Sequence, residues 1–401
     1  MAQAQAPELE RLAHFVGRIP SQTLLSAPVE RLLDVRRQHL AEALVAREPP
    51  LFFGSAFCEI AALLYLWRSG RAAQIRDVIR RNVRNIHLVR LIYVWMIAML
   101  AQAASFPAAI VAYRLSVAAG TSVQSPAEWL GESASTAVAS ALMSAVIFWF
   151  MLLLAARTRY WYFFGAAFLV LFVLLASFAE PVVYTPWIVH QQTLHEYGPR
   201  GAQLYGVEKR MGVRVPIVIE GIGAATDADV DVSRISGLGP TAQIDISDTL
   251  MSTATPNELN FVVARESAHI AAHDVLRLDL YASLWLIVAA AISVAVADRI
   301  GFRRDDDPLS RLALLGSVLG VALLALLPIQ NAYSRRLEAR ADHVAVAATA
   351  DPASAVRLMV RLADVDLLPA CPKPIVRRYF LVYPPIASRI AAVRGGGDPC
   401  P

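Results

Sequence analysis

The residues best suited to chemistry lie in one short stretch, 264–274, which reads Ala-Arg-Glu-Ser-Ala-His-Ile-Ala-Ala-His-Asp. In the pattern His-Glu-x-x-His, two histidines four residues apart share one helical face and hold one zinc ion, while the glutamate activates the bound water as a general base. Glu266 and His269 fit this pattern, but Arg265 stands at the first histidine position. Because a Glu-x-x-His pair also occurs by chance in many helices, its surroundings decide its meaning.

A second histidine pair leaves an alternative open. His273 follows His269 by four residues, which is again a helical spacing suited to a metal. This pairing would move the centre by one helical turn, about 5.4 Å, away from Glu266. A histidine on the helix surface is the simpler interpretation of His273.

The elements that must position these side chains are a helix and two strands. Pro256 starts a helix that is predicted to run toward Leu278, with Thr255 as its N-cap. Apolar alternation predicts strands at Arg214–Glu220 and Gln243–Ser247.

Long apolar segments make up much of the rest of the chain. Of its 401 residues, 56% are hydrophobic and 17% are charged, whereas a soluble protein carries about 25% charged residues. This composition excludes a purely soluble enzyme, and the chain shows no nucleic-acid-binding motif. Six segments have the length and apolarity of membrane spans: 51–67, 92–113, 136–156, 162–179, 280–297 and 312–329. We predict a multi-pass protein of a bacterial inner or plasma membrane, in contact with the lipid bilayer.

The spans divide the chain into three regions. These are an N-terminal amphipathic, helical region (1–50), a four-helix membrane domain (51–179) and a soluble domain (180–401), which a membrane hairpin at 280–329 interrupts. Because the hairpin returns the chain to the same side, both soluble parts can build one domain.

The cysteines are odd in number and far apart in the sequence. From their spacing we expect neither a disulfide framework nor a metal clip. They are Cys58, Cys371 and Cys400.

A series of short motifs extends along most of the chain: Gly237-Leu238-Gly239-Pro240-Thr241, Asp248-Thr249-Leu250, Thr255-Pro256-Asn257-Glu258-Leu259, Arg265-Glu266-Ser267-Ala268-His269, Ser334-Arg335-Arg336-Leu337-Glu338-Ala339-Arg340-Ala341-Asp342, Tyr383-Pro384-Pro385 and Arg389-Ile390, with 120–125, Trp129-Leu130 and Glu180-Pro181-Val182-Val183 upstream. In order, spacing and flanking spans, this series resembles the integral-membrane zinc metallopeptidases of the type I CAAX prenyl protease family and their heat-shock relatives. The resemblance covers roughly residues 51–394. It implies a multi-pass α-helical membrane protein of about six spans with a zincin-like α+β metallopeptidase domain.

The resemblance also implies a zinc site. By position, Glu266 would be the general base, His269 the second zinc ligand and Glu338 the third. Asp342, one turn after Glu338, would orient a ligating histidine. The family's activity is zinc-dependent cleavage of a membrane-associated or prenylated peptide.

Three further positions would serve the substrate. The strand at Gly237 would pair with an extended peptide, and Arg389 would stabilise charge near the scissile carbonyl. Tyr383 stands where the family has a histidine that donates to the oxyanion, and a tyrosine hydroxyl can also donate a hydrogen bond.

Arg265 is the departure that bears most on function. A guanidinium has no lone pair and stays charged at physiological pH, so it cannot bind zinc. We hypothesise that Arg265 occupies the space of the metal and bridges Glu266 and Glu338; the alternative is that it points to solvent and leaves the cavity empty. The sequence thus predicts a degenerate family member that holds a membrane-associated peptide or partner protein without cutting it. The alternative is a working zinc metalloendopeptidase with the ligands His269, His273 and Glu338.

Membrane orientation stays open from the sequence. Connection 68–91 carries seven arginines and connection 114–135 on the other side carries only Arg114, so the positive-inside rule puts the soluble domain outside the cytoplasm. The tail before the first span carries further arginines, and eukaryotic members of the family that the chain resembles face their active site to the cytosol.

Overall fold

A computed structural model of the chain describes residues 16–119, 122, 124–185, 190–194, 198–221, 233–301 and 309–400. Parts of two predicted features, at 120–125 and at 298–308, lie outside the described residues. The helices are α1 (Ser21–Ser26), α2 (Val35–Val45), α3 (Glu48–Arg68), α4 (Arg71–Asn82), α5 (Ile86–Ala119), α6 (Pro126–Arg157), α7 (Trp161–Ala179), α8 (Gly198–Arg210), α9 (Asp248–Thr253), α10 (Pro256–Ala271), α11 (Asp274–Gly301), α12 (Leu312–Thr349), α13 (Pro352–Val365), α14 (Pro374–Tyr379) and α15 (Ile386–Val393). The strands are β1 (His190–Thr193), β2 (Ile217–Gly221), β3 (Ser233–Ser236) and β4 (Gln243–Ser247).

The six predicted membrane spans are confirmed. Helices α3, α5, α6, α7, α11 and α12 supply six segments that are long and apolar enough to cross a bilayer. Helix α12 has 38 residues and is therefore about 57 Å long, which exceeds the hydrocarbon core of about 30 Å. Its C-terminal half thus continues out of the membrane as part of the soluble domain.

The helix that carries Glu266 begins as predicted but ends early. Thr255 and Glu258 form a capping box at the start of α10, in which each side chain bonds the other residue's main-chain N–H. The helix ends at Ala271, not near Leu278, because His273 adopts a left-handed conformation with φ of 56°. A new helix, α11, begins at Asp274.

A four-stranded sheet lies over this helix in the order β1-β2-β4-β3. Strand β4 pairs in parallel with β2 and antiparallel with β3, which leaves β3 at an edge. The turn from β3 to β4 requires glycine at position 237, because φ is 81° there and a Cβ would lie 2.2 Å from the Thr241 carbonyl oxygen. Both predicted strands are confirmed, with β2 beginning at Ile217.

The N-terminal residues pack into the soluble domain. Val16, Leu24 and Leu32 lie in the same buried cluster as Ile244 of the sheet and Phe261 of α10. From residue 16 onward, the N-terminal region consists of short helices that this core holds in place. The division into three regions itself stays a prediction.

The expectation that the cysteines form no disulfide is wrong for one pair. Cys371 and Cys400 are joined, with their Cα atoms 5.3 Å apart. The chain folds back after α15, so their separation of 29 residues in sequence does not keep them apart in space. Cys58 is a free, exposed cysteine on α3.

Candidate functional site: an arginine-centred cluster of ion pairs

Two packed helices bring the predicted site residues together. Helix α10 supplies Arg265, Glu266 and His269, and the protruding half of α12 supplies Glu338 and Asp342. Glu266 and His269 are only 2% and 6% exposed, so their charges are largely removed from water. Charges in such a place must be paired.

The Arg265 guanidinium lies between the carboxylates of the two helices. Its Nη1 is 2.6 Å from Glu266 Oε1, its Nη2 contacts Glu338 Oε2, and its Nε is 3.3 Å from Asp342 Oδ1. Burial disfavours the charged guanidinium, but the charges of the three carboxylates outweigh it and raise the pKa of Arg265. Arg265 is therefore a fixed cation between the two carboxylates that the resemblance assigns to base and ligand.

Glu266 receives a second donor from the sheet. The Ser233 hydroxyl on β3 donates to Glu266 Oε1 at 2.9 Å, and Arg265 Nη1 donates to the same oxygen. No sequence pattern pointed to Ser233, because its partner lies 33 residues further along the chain.

His269 is held by Asp274. Its Nδ1 lies 2.8 Å from Asp274 Oδ2, and its Nε2 lies 3.5 Å from Glu338 Oε2. Burial disfavours the imidazolium, but the bonds and charges of Asp274 and Glu338 raise the pKa of His269 to about 9. These contacts favour the imidazolium form of His269, which has no lone pair for a metal.

The carboxylate that contacts His269 Nδ1 belongs to Asp274, whereas Asp342 was expected to orient a histidine. The turn at His273 starts α11 directly after α10 and sets Asp274 beside His269 Nδ1. Arg340 on α12 also donates to Asp274. Sequence reasoning missed Asp274 and Arg340 in this role, because it expected one continuous helix.

Asp342 is instead paired with Arg389 of α15. Arg389 Nε and Nη2 donate to the two oxygens of Asp342 at 2.7 and 2.9 Å. Both residues are buried. The role expected of Arg389, near a scissile carbonyl, stays a prediction.

The two remaining predicted positions are His273 and Tyr383. His273 is exposed and stands after the end of α10, so it does not share a helical face with His269. Tyr383 is half-buried in the segment between α14 and α15. The geometry thus disfavours the ligand set of His269, His273 and Glu338.

The residues of this cluster do not fit a zinc ion as they stand. Among the residues that the structure describes, no three His, Cys, Asp or Glu side chains are grouped to hold a metal. Each carboxylate of the cluster already faces a cation: Glu266 and Glu338 face Arg265, Asp342 faces Arg389, and Asp274 faces His269 and Arg340. The site is closed by protein ion pairs.

Comparison with known proteins supports the architecture. Residues 235–396 match the profile of Peptidase family M48. The chain is 25% identical over 199 residues to Protease HtpX of Glaesserella parasuis serovar 5, covering 46% of this chain and 70% of that protein. It is also 25% identical over 257 residues to a Protease HtpX homolog of Gemmatimonas aurantiaca, covering 56% and 88%.

A solved structure extends the likeness over the whole length. The crystal structure of S. mikatae Ste24p superposes with a TM-score of 0.75 at 17% identity, covering 98% of this chain and 96% of that one. At this identity the match concerns the fold alone. This fold agrees with the multi-pass helical architecture of the chain, and the match to Peptidase family M48 concerns residues 235–396.

Proposed function

Because the chain belongs to the membrane metallopeptidases of peptidase family M48 through residues 235–396, we propose that it keeps their architecture but has lost their catalysis. It would hold a membrane-associated peptide or partner protein without cutting it. The observation that carries this proposal is the Arg265 guanidinium, which contacts both Glu266 and Glu338.

The Arg265 cation supplies the charge that a metal would otherwise supply. Buried carboxylates repel one another and are costly without a cation. Charge-assisted hydrogen bonds from one guanidinium to two carboxylates remove that cost. The helices α10 and α12 are thus joined at the site by the side chain that excludes the metal.

Glu266 is also held in place at one of its two oxygens. Its Oε1 accepts hydrogen bonds from Arg265 and Ser233. The contact with Arg265 ties this carboxylate to a cation on its own helix and to Glu338 across the site, which favours a structural role.

A binding role needs a surface for a peptide, and β3 offers one. Among the strands that the structure describes, β3 lies at an edge of the sheet, and Ser233 at its start donates a hydrogen bond to Glu266. An extended peptide can add to such an edge through main-chain hydrogen bonds. A bound peptide would then run past the cluster of ion pairs.

The test is zinc content, measured by elemental analysis of detergent-purified protein, together with cleavage of labelled casein. We expect the unaltered protein to hold well below one zinc per chain, to leave casein intact and to ignore chelators. Arg265→His should gain zinc, because it restores a histidine four residues before His269. Arg336→His, at an exposed arginine of the neighbouring helix α12, is the matched control and should gain no zinc.

Two results would contradict the proposal. Near-stoichiometric zinc with chelator-sensitive cleavage in the unaltered protein would support a working metallopeptidase. Unchanged zinc content in Arg265→His would show that position 265 is not what blocks the metal.

A further inference from the structure

The C-terminal segment carries a disulfide on the soluble face of the molecule. Cys371 and Cys400 are bonded, and Asp398 beside them pairs with Arg377 at 2.7 Å and accepts a hydrogen bond from Ser388 at 2.5 Å. These contacts hold the returning chain where the two sulfurs meet. Disulfides persist in oxidising compartments and are rare in the cytosol of mesophiles.

The path of the chain fixes which parts share a side of the membrane. Six spans place the N-terminal segment, the α5–α6 connection and both parts of the soluble domain on one side. The segment around α4, the α6–α7 connection and the α11–α12 connection lie on the other side.

The arginines are concentrated on the side without the disulfide. The segment around α4 carries Arg68, Arg71, Arg76, Arg80, Arg81, Arg84 and Arg90, the end of α6 with the α6–α7 connection carries Arg157 and Arg159, and the end of α11 with the α11–α12 connection carries Arg299, Arg303, Arg304 and Arg311. The α5–α6 connection on the opposite side, counted with the adjoining helix ends over 114–135, carries only Arg114. Such an excess of arginine in short connections marks the cytoplasmic side.

The arginines that precede the first span belong to a folded part of the soluble domain. Arg37 donates to the main-chain carbonyl oxygens of Asp364 and Val365, the latter at 3.0 Å. The rule counts arginines in short connections, because folded domains cross the membrane largely regardless of charge. The N-terminal arginines therefore do not offset those around α4.

We infer that the soluble domain, with its arginine-centred cluster, lies on the extracytoplasmic side of the membrane. The disulfide and the arginine distribution lead to this orientation independently. A corollary, which rests on the proposed function, is that a peptide held at β3 is exposed on the extracytoplasmic face.

The experiment labels single reporter cysteines with a membrane-impermeant maleimide in sealed bacterial spheroplasts. The full-length protein carries Cys58→Ser, so that only the reporter reacts, and either Gln22→Cys on α1 or Gln74→Cys on α4. Both positions are exposed. We expect Gln22→Cys to react in sealed spheroplasts and Gln74→Cys to react only after permeabilisation. Cys58→Ser without a reporter is the control, and without reductant it should show no free thiol even when unfolded.

Three results would overturn the orientation: reaction of Gln74→Cys in sealed spheroplasts, failure of Gln22→Cys to react there, or free thiols at Cys371 and Cys400 in the unreduced protein. None of these readouts depends on zinc or on a bound peptide. A failure here is therefore separate from a failure of the proposed function.

Discussion

Arg389 and Asp342 form a buried, bidentate ion pair that joins the C-terminal helix α15 to the protruding half of α12. Both nitrogen–oxygen distances, 2.7 and 2.9 Å, are those of charge-assisted hydrogen bonds. Asp342 Oδ1 also lies 3.3 Å from Arg265 Nε, so the Arg389–Asp342 pair is in direct contact with the arginine-centred cluster.

Removing Arg389 should destabilise the protein. Arg389→Ala leaves the Asp342 charge buried beside Arg265 alone, and breaking a buried ion pair costs about 3–5 kcal/mol. Arg389→Lys should recover only part of the lost free energy of unfolding. It keeps a positive charge beside Asp342, but an ammonium cannot make both hydrogen bonds in the plane of the carboxylate. Denaturant unfolding in detergent measures this, with the exposed Arg336→Ala as control. A free energy of unfolding unchanged in Arg389→Ala would contradict the structural role.

Replacing Arg265 by an apolar side chain should make stability depend on pH. In Arg265→Met, Glu266 and Glu338 face each other without their shared cation, and the expected loss at neutral pH is about 3–5 kcal/mol. Acid should restore part of it, because protonation removes the uncompensated carboxylate charge. The measurement is the difference in unfolding free energy between variant and unaltered protein at pH 5 and pH 7. A difference that does not shrink in acid would contradict the bridge.

The membrane part of the fold could be predicted because its signals are local. Six apolar runs and the Thr255–Glu258 capping box each lie within a single segment. The proximity of the oppositely charged Arg265 and Glu338 could also be predicted, because both residues lie in motifs of the series that the chain shares with the family it resembles. The structure contains the contact between Arg265 and Glu338, whereas the loss of zinc and of activity stays a prediction.

The other features of the site depend on contacts between distant parts of the chain. Ser233 reaches Glu266 only because β3 lies against α10, and Cys371 meets Cys400 only because the tail folds back. The left-handed turn at His273 could not be predicted from the sequence, because the position is not a glycine, the residue that usually adopts this conformation. Because of this turn, Asp274 lies next to His269 and His273 lies away from the site. The helical spacing of the sequence predicted neither placement.

A buried aspartate should make docking of the N-terminal segment sensitive to pH. Burial and the charge of Asp34 raise the pKa of Asp364 to about 6, although its carboxylate accepts a hydrogen bond from the Asp34 main-chain N–H. An acid whose pKa is raised by folding stabilises the fold when protonated, so stability should fall as pH rises from about 4 to about 6. The difference between the pKa of Asp364 in the folded protein and its ordinary value corresponds to about 3 kcal/mol in the free energy of unfolding.

Asp364→Asn should remove this dependence and stabilise the protein at pH 7, because the amide oxygen still accepts from Asp34 without carrying a charge. Glu30→Gln, an exposed change on the same N-terminal segment, is the control. Unfolding free energies at pH 4.5 and pH 7 give the comparison. An identical pH slope in Asp364→Asn and in the unaltered protein would contradict the assignment.

The disulfide should stabilise the segment that carries Arg389. It closes a loop over a separation of 29 residues, for which loop-closure entropy gives about 3–4 kcal/mol. Cys371→Ser/Cys400→Ser should lower the midpoint of thermal unfolding, and reductant should lower that of the unaltered protein to the same level. Cys58→Ser should keep the response to reductant, because Cys58 is not part of the bond. Since Arg389 lies inside the closed loop and holds Asp342, proteolysis of the reduced protein should begin in 371–400; cleavage that starts elsewhere would show that other contacts hold this segment.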